Sequence, residues 1–415
     1  MRILVQKYGG TSLGTAEARQ HALGHMKKAL ESNYQLVVVV SAMGRKGQPY
    51  ATDTLLEMVQ ADGNHLPERE KDLLLACGET ISATMMCNLL LSQGIEATVL
   101  TGAQAGVITN GCYGNAQIVS IQTHRIRHLL SEGKVVIITG FQGKVDSDDI
   151  ATLGRGGSDT SATAIGAALQ ADCVDIFTDV NGILTADPKV VKEARRLNMV
   201  SYAEICNMAQ QGAKVIHPRA VEVAMQAHIP IRVRSTFSDD EGTLVTSEEH
   251  LSRMNRMVKD RYVTGIASVS GVTQIQIMAA EGQYDLQLKV FKAMANHQIS
   301  VDFINVNPSG VVYTVFDHQR EKAMSVLQSL GYEAINYPNS AKISVIGGGM
   351  NGVPGIMASI VEALTEADVQ ILQSADSNTT IWVLVSGDQM ETAVQALHAK
   401  FHLHIMDETA AGRLG

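Results

Sequence analysis

The chain has no excess of basic residues, no paired-cysteine pattern and no long apolar run. Its 33 lysines and arginines are outnumbered by 42 aspartates and glutamates, for a net charge of −9. General affinity for nucleic acid or an anionic membrane is therefore not expected, because both need a basic surface. The five cysteines show no C-x-x-C spacing, which predicts free thiols in a reducing compartment. The apolar run from Leu36 to Val40 is too short to span a bilayer, and no signal peptide is evident, so we expect a cytoplasmic protein.

Aromatic residues are also scarce. They make up 4% of the chain, against 45% hydrophobic and 18% charged residues. This composition is typical of a compact α/β protein with an aliphatic core. The 415 residues exceed one average domain, and a norm of about 150 residues per domain suggests two or three domains.

Two glycine clusters stand between an extended segment and a helix. The first, Lys7 to Ser12, follows the apolar run Ile3 to Val5, and the second runs from Gly154 to Asp159. Glycines let backbone N–H groups approach an anion, a helix start adds partial positive charge, and Lys7 adds a full charge. Either cluster alone is equally consistent with a plain strand-to-helix connection, but two together favour a local phosphate site.

Up to about residue 246 the sequence alternates between buried strands and helices. This alternation predicts a mainly parallel sheet covered by helices on both faces, with ligands at the carboxyl ends of its strands. The predicted strands are Leu36–Val40, Ala97–Leu100, Val135–Ile138, Val174–Phe177 and Ile229–Val233, and the predicted helices are Ala16–Ser32, Glu68–Ser92, Asn115–Ser131, Thr160–Ala171 and Val215–Ala227.

After a charged stretch over 247–262 the pattern changes to two βαββαβ units offset by about 70 residues, an internal repeat. Such units usually pair side by side or across a dimer. The strands predicted for the repeat include Thr273–Met278, Glu333–Tyr337, Lys342–Ile346 and a final strand His402–Met406. The run Gly347 to Gly352 matches G-x-G-x-x-G, but too little chain follows for a dinucleotide-binding fold.

Several motifs, taken in order, resemble those of the aspartate kinases over nearly the full length of the chain. They are Lys7 to Ser12, Ser41-Ala42-Met43, Cys77-Gly78-Glu79-Thr80, Gly154 to Asp159, Phe177 to Lys189 and Gly212 to Pro218. The resemblance implies an α/β chain in which an amino-acid-kinase fold, a mainly parallel sheet sandwiched by helices, is followed by two α+β ACT domains. The implied boundaries are a catalytic domain over 1–246, a linker over 247–262 and ACT domains over 263–338 and 339–410.

The implied reaction is transfer of the γ-phosphoryl group of MgATP to the β-carboxylate of L-aspartate. Lys7 would neutralise charge on the transferring group, and Arg155 would bind a substrate carboxylate with its planar fork. Glu79 would receive the substrate's ammonium group; the alternative is a buried salt bridge to a protein lysine. Asp159 belongs by resemblance to the active centre, where it would orient the lysine or assist Mg²⁺, while helix N-capping is the alternative. A general base is not required, because the β-carboxylate is already ionised.

The resemblance also assigns binding residues. The nucleotide would contact Lys7, Tyr8, Gly9, Gly10, Ser41, Ser158, Thr178, Asp179, Leu184, Thr185, Ala186, Asp187, Pro188, Lys189 and Lys214. Aspartate would contact Thr52, Glu79, Arg155, Gly156, Gly157 and Ser158. Leu184 and Lys189 stand where the family often has Tyr and Arg, so a stacking ring is absent and a point charge replaces a fork. No metal-site spacing is present, so Mg²⁺ is expected to arrive with ATP.

The repeat implies regulation by an amino acid and a homodimer or higher oligomer formed through the ACT domains. The effector would be diaminopimelate, lysine or threonine, and the segment Ser374 to Val385 looks closest to the diaminopimelate-sensitive, Bacillus-type members. The candidate effector contacts are Met278, Gln283, Asp285, Asn305, Asn378 and Thr379. Two alternatives stay open: a kinase acting on glutamate or acetylglutamate, and a non-catalytic amino-acid sensor on the same scaffold.

Overall fold

The computed structural model describes residues 2–61, 63–213, 215–254, 262–279, 285–350 and 353–405. These residues form two compact units. The first contains residues 2–183, 196–209 and 215–254, and the second contains residues 184–195, 210–213 and the described residues from 262 onward. Two short stretches of the predicted catalytic region thus belong to the second unit.

The first unit is built on an eight-stranded sheet with the order β10–β12–β11–β9–β1–β2–β6–β3, in which only the β11–β12 pair is antiparallel. A second sheet of four short strands has the order β5–β4–β7–β8. The strands are β1 (Ile3–Tyr8), β2 (Gln35–Val40), β3 (Ala97–Leu100), β4 (Val107–Thr109), β5 (Ile118–Ile121), β6 (Val135–Thr139), β7 (Gln142–Lys144), β8 (Ile150–Thr152), β9 (Cys173–Thr178), β10 (Met199–Ser201), β11 (Ile231–Ser235) and β12 (Thr243–Thr246).

Helices cover both faces of the large sheet. They are α1 (Gly10–Leu13), α2 (Ala16–Glu31), α3 (Thr52–Ala61), α4 (Glu68–Leu91), α5 (His124–Ser131), α6 (Gly157–Leu169), α7 (Tyr202–Gln210), α8 (Pro218–Ala227) and α9 (Glu248–Met254). Helices α2 and α4 pack on the face that carries Leu36 and Val38, and α6 packs on the face that carries Val5 and Val174. Strands buried on both faces explain the continuous β-branched runs in the sequence.

The five predicted strands of this unit are all present, with small shifts of their ends. One predicted helix is wrong in its first half. Residues 118–121 form β5 instead, and only His124–Ser131 of the predicted Asn115–Ser131 helix is helical. The β-branched pair Ile118 and Val119 pairs in antiparallel fashion with β4, and this tertiary pairing overrides the local helix pattern.

The second unit contains one antiparallel six-stranded sheet with the order β14–β15–β13–β16–β18–β17. Its elements are β13 (Gly265–Met278), α10 (Leu286–Asn296), β14 (Asp302–Asn307), β15 (Gly310–Phe316), α11 (Arg320–Ser329), β16 (Ala334–Ile346), α12 (Ile356–Glu366), β17 (Gln373–Asp376), β18 (Thr380–Ser386) and α13 (Met390–Lys400). Both βαββαβ repeats therefore share a single sheet.

Two long strands, β13 and β16, join the repeats. The second half of β13 pairs with Ala334 to Tyr337, and its first half pairs with Ala341 to Ile346. Both strands bend where one copy gives way to the other, at Gly271 (φ 73°) and Asn339 (φ 51°). The sequence places the boundary between the two copies at 338/339, which lies inside β16.

The predicted final strand His402–Met406 is absent from the described residues, because residues 401–404 form turns and Ile405 is irregular. The second repeat is completed instead by Gly265 to Ser270, the first half of β13. A strand from a distant part of the chain thus occupies the place predicted for the C-terminal segment.

The stretch 184–195 packs into the core of the second repeat. Ala186 and Val191 are buried in the same cluster as Ile343 and Leu397. The backbone N–H of Ile266 donates to the Thr185 carbonyl at 2.8 Å. This stretch is therefore an integral part of the second unit.

Candidate active site

A cavity of about 440 Å³ lies in the first unit at the carboxyl ends of β1, β2 and β6. Parallel sheets place ligands at this edge. Ten of the predicted or neighbouring motif residues line it: Lys7, Ser41, Thr52, Glu79, Gly154, Arg155, Gly156, Gly157, Ser158 and Asp159. Asp53, Leu56, Glu68, Lys71, Asp72, Leu75, Gly114, Phe141 and Thr152 complete the wall. The two glycine clusters of the sequence therefore meet in one cavity.

Lys7 and Asp159 form an ion pair in this cavity. The Lys7 Nζ atom is 2.7 Å from Asp159 Oδ1, and the two side chains are only 12% and 13% exposed. Asp159 lies in the first turn of α6, whereas the N-cap of that helix is Gly156, so capping is not the role of Asp159. The carboxylate instead holds the lysine ammonium at the end of β1.

The first glycine turn requires glycine at residue 10. A Cβ on Gly10 would lie 2.5 Å from the Gly44 carbonyl oxygen and 2.7 Å from that of Ala42. Gly9 is the N-cap of α1 and makes no side-chain capping bond, being glycine. The Tyr8 side chain is fully buried and stacks on Phe177 at 4.6 Å between ring centroids, so only its backbone faces the turn.

Glu79 is a buried carboxylate with one free oxygen. It is 2% exposed on α4, Oε1 accepts from the Ala42 backbone N–H at 2.9 Å, and Oε2 has no hydrogen-bond partner. Burial raises the pKa of Glu79 to about 7, against an ordinary value of 4.5, and the backbone N–H groups oppose that rise. Because no protein lysine pairs with it within the described residues, the salt-bridge alternative is not what the structure contains. The free oxygen suits a cationic ligand.

Arg155 lies between two glycines in left-handed conformations, Gly154 (φ 73°) and Gly156 (φ 67°). A Cβ on Gly156 would lie 2.1 Å from the His217 ring, so this ring packs directly against the loop. His217 also caps α8 by accepting from the Arg219 N–H. The Arg155 side chain is exposed and makes no ion pair with the described part of the chain. Its guanidinium is available to a carboxylate.

Thr178 and Asp179 stand at the end of β9, the neighbour of β1 in the sheet. The Thr178 hydroxyl donates to Asp179 at 3.1 Å, and Asp179 pairs with Arg45 at 2.5 Å. The structure therefore brings both residues to the sheet edge that carries the Lys7 turn.

The remaining predicted nucleotide contacts are not among the described residues of the first unit. Leu184, Thr185, Ala186, Asp187, Pro188 and Lys189 belong to the second unit. Thr185 is fully buried, and its Oγ1 is 3.0 Å from His398 Nε2. Lys214 lies outside the described residues.

The predicted effector contacts that the structure describes are in the second unit. Met278 is 68% exposed at the end of β13, Asp285 pairs with Lys289 at 2.6 Å, and Asn305 is exposed on the edge strand β14. Asn378 and Thr379 form the turn between β17 and β18. Gln283 lies outside the described residues. A separate cavity of about 420 Å³ lies beside Ser374, Ser377 and the start of α12.

Sequence reasoning missed several residues of the first cavity, above all Asp72. Its position seven residues before Glu79 places it on the same face of α4, two turns away, and this spacing was the available signal. Among the described residues no group of three or more His, Cys, Asp and Glu side chains could hold a metal ion.

Helix α4 is long and apolar enough to cross a membrane by length and composition alone. Polar residues interrupt its apolar run, so the sequence contains no long uninterrupted apolar stretch here. Asp72 and Glu79 are buried on it, and Ala83, Met86 and Leu90 pack in the core against the large sheet. These contacts are those of a core helix in a globular domain.

A parallel sheet with a lysine and a glycine turn at its carboxyl edge, followed by a tandem βαββαβ repeat, is the arrangement of an amino acid kinase with ACT repeats. The comparisons with known proteins agree. The amino acid kinase family matches residues 2–235, and the ACT domain matches residues 337–399. Aspartokinase 1 of Bacillus subtilis is 54% identical over 403 residues, covering 97% of this chain and 100% of the relative. The aspartokinase of Geobacillus stearothermophilus is 38% identical over 419 residues, covering 100% of both chains.

Among solved structures, Escherichia coli aspartokinase III in complex with aspartate and ADP (R-state) matches with a TM-score of 0.76 and 25% identity, over 96% of this chain and 99% of that chain. The chain belongs to the aspartokinase family. It is thus an enzyme, an amino acid kinase whose acceptor is aspartate, and the predicted fold class and reaction class are confirmed.

Proposed function

We propose that the first cavity binds free L-aspartate between Glu79 and Arg155 while the Lys7 turn holds the terminal phosphate of ATP. The observation that carries this proposal is the partnerless Glu79 Oε2, a buried carboxylate oxygen in a cavity that also contains a free guanidinium. An unpaired buried carboxylate is expensive, so its position favours a ligand that brings an ammonium group. Arg155 suits the α-carboxylate of the same ligand.

Phosphoryl transfer requires positioning and charge neutralisation more than covalent chemistry. Lys7 supplies a cation at the end of β1, and Asp159 keeps its ammonium group in place. The glycine turn admits a phosphate to the backbone because no Cβ intervenes. Asp159 would be the carboxylate that assists Mg²⁺, and the metal ion, arriving with ATP, would offset charge on the phosphates.

The remaining nucleotide contacts of the proposal are Tyr8 through its backbone, Gly9, Gly10, Ser41, Ser158, Thr178, Asp179, Leu184, Thr185, Ala186, Asp187, Pro188, Lys189 and Lys214. The remaining aspartate contacts are Thr52, Gly156, Gly157 and Ser158. The family supports these assignments, and the sheet-edge position of Thr178 and Asp179 fits them. The side chains of Thr185 and Ala186 are buried, so their contribution is assigned to the backbone.

A hydroxamate assay tests the proposal. The enzyme is given MgATP with aspartate, glutamate or N-acetylglutamate, and acyl phosphate is trapped with hydroxylamine. We expect product with aspartate alone, because Glu79 requires a free ammonium, which N-acetylglutamate lacks, and membership of the aspartokinase family favours aspartate over glutamate. Comparable turnover with N-acetylglutamate, which has no free ammonium group, would contradict the proposed role of Glu79.

We further propose that the second unit binds a pathway amino acid (diaminopimelate, lysine or threonine) and joins two subunits through its ACT repeats. The tandem repeat supports regulation, and the exposed apolar side chains Ile304 and Val306 on the edge strand β14 support pairing with another chain. Inhibition titrations with each amino acid, combined with light scattering, test both parts. A cytoplasmic location fits the free cysteines.

A further inference from the structure

Asp72 is a fully buried carboxylate in the wall of the cavity that the proposed reaction does not use. Its side chain is 0% exposed and makes no ion pair with the described part of the chain. It accepts three hydrogen bonds: Oδ2 from the Gly114 N–H at 2.9 Å and the Thr152 N–H at 2.7 Å, and Oδ1 from the Thr152 hydroxyl at 2.6 Å. These bonds offset the burial of the charge.

Arg219 carries the opposite charge and hydrogen-bonds to the same two backbone segments, residues 114–116 and 152–153. Its guanidinium donates to the Leu153 carbonyl at 3.0 Å and to the Ala116 carbonyl at 2.9 Å. The Ala116 N–H in turn donates to the Thr152 carbonyl at 2.8 Å, so the two segments are also joined to each other. Segments 114–116 and 152–153 are thus held by a carboxylate and a guanidinium.

The held segments adjoin the Arg155 loop. A Cβ on Gly154 would lie 2.7 Å from the Asn115 side-chain oxygen and 3.2 Å from the Gly114 carbonyl. The loop therefore rests on residues that Asp72 and Arg219 fix. Asp72 shares a face of α4 with Glu79, two turns away, so one helix carries both the ammonium-binding group and the anchor of the carboxylate-binding loop.

We infer that Asp72 and Arg219 are positioning residues that fix the Arg155 loop relative to Glu79 and so set the span over which the cavity binds the two charged ends of its amino acid. This inference rests on the proposed function, because it concerns the same acceptor. A small displacement of the loop would weaken acceptor binding, and a misplacement of about 1 Å can cost about 10²-fold in rate. Because the proposed ATP contacts are at the Lys7 turn, we expect ATP binding to be unaffected by this displacement.

The test compares Asp72→Asn with wild type in the hydroxamate assay and by hydrogen–deuterium exchange. The amide can keep its oxygen toward the two N–H groups and its NH2 toward the Thr152 hydroxyl, but it carries no charge, so all three bonds are weaker than those of the carboxylate. We therefore expect the KM for aspartate to rise about tenfold while the KM for ATP stays within about twofold. Exchange should accelerate in peptides covering 113–116 and 150–155 and not in β1 or β2. Thr152→Val removes one of the three bonds and should give a smaller change of the same kind. If Asp72→Asn does not fold, Thr152→Val carries the test.

Asp175→Asn is the matched control. Asp175, on β9, is equally buried, but its carboxylate pairs with Arg232 of β11 at 2.8 Å, and it does not line the cavity. A merely structural role predicts that both Asn variants change aspartate KM and exchange alike, and that result would overturn the inference. Combining Asp72→Asn with Arg219→Met should give less than additive effects, because either change releases the same segments; full additivity would also overturn it.

The exchange measurement separates this inference from the proposed function. Absence of aspartate phosphorylation by the wild type would reject the reaction and leave the exchange result to decide the positioning role. Unchanged exchange in 113–116 and 150–155 on replacing Asp72 would reject the positioning role whatever the acceptor.

Discussion

Replacing Glu79 by glutamine should weaken aspartate binding and stabilise the ligand-free enzyme at alkaline pH. Burial raises the pKa of Glu79 from 4.5 to about 7. Ionising this group in the fold therefore costs about 3 kcal/mol relative to the unfolded chain. Because the folded-state pKa is raised, the penalty is absent below pH 4.5, grows between pH 4.5 and 7, and is complete above pH 7.

Glutamine at residue 79 keeps an acceptor for the Ala42 N–H but carries no charge. After subtracting the cost of burying the amide we expect a gain of about 1–2 kcal/mol at pH 8.5, or about 2–6 °C in Tm. The gain should vanish near pH 4.5. Loss of the partner for a buried ammonium should lower kcat/KM for aspartate by about 10²-fold with little change in the KM for ATP.

Differential scanning fluorimetry at several pH values and hydroxamate kinetics give the two readings. In the wild type, the KM for aspartate should rise about tenfold for each pH unit below 7, because only the carboxylate binds the ammonium. This dependence should be flat in the variant. Glu31→Gln, an exposed change at the end of α2, is the control. An unchanged aspartate KM, or an equal Tm shift at pH 4.5 and pH 8.5, would refute the reasoning.

Three further predictions concern other parts of the chain. Arg155→Lys should lower kcat/KM for aspartate by about 10-fold or more while calorimetric ATP binding is kept, since lysine cannot form the two-pronged contact; an unchanged aspartate dependence would show that the arginine acts elsewhere. Gly10→Ala should raise the KM for ATP, because its Cβ would lie 2.5 Å from a backbone carbonyl, whereas Gly24→Ala in α2, with open space around it, should raise Tm instead. Burial lowers the pKa of His398, so wild-type stability should fall as pH drops below 6.5, and His398→Gln should lose less of its Tm between pH 7 and pH 5. Parallel pH–Tm curves would contradict that role.

Much of the first unit follows from local patterns. Runs such as Leu36 to Val40 are β-branched and apolar on both faces, so they predict buried parallel strands without knowledge of their partners. The cavity could be anticipated in part, because Lys7 lies at the end of β1 and Ser41 follows β2, and the carboxyl ends of parallel strands meet at one edge. Arg155 follows β8 of the small sheet, so that rule does not give its position.

The strand and the site residues that the sequence does not predict depend on partners far away in the chain. Nothing local marks Gly265 to Ser270 as the strand that completes the second repeat, because its partners lie about 75 residues away in β16. Asp72 bonds to a residue 80 positions later, and Arg219 to one 103 positions earlier. The seven-residue spacing to Glu79 indicates only that Asp72 shares its helix face, and the remote groups that Asp72 and Arg219 bind leave no pattern in the sequence.

The two shared strands β13 and β16 constrain how the regulatory half can evolve. Side chains alternate between the two faces of a sheet, so inserting one residue in either strand would turn the inward side chains of that strand beyond the insertion toward solvent. Only the bends at Gly271 and Asn339 could absorb such a change. We therefore expect variation in length to be confined to the turns, and the two repeats to fold and unfold as a single unit.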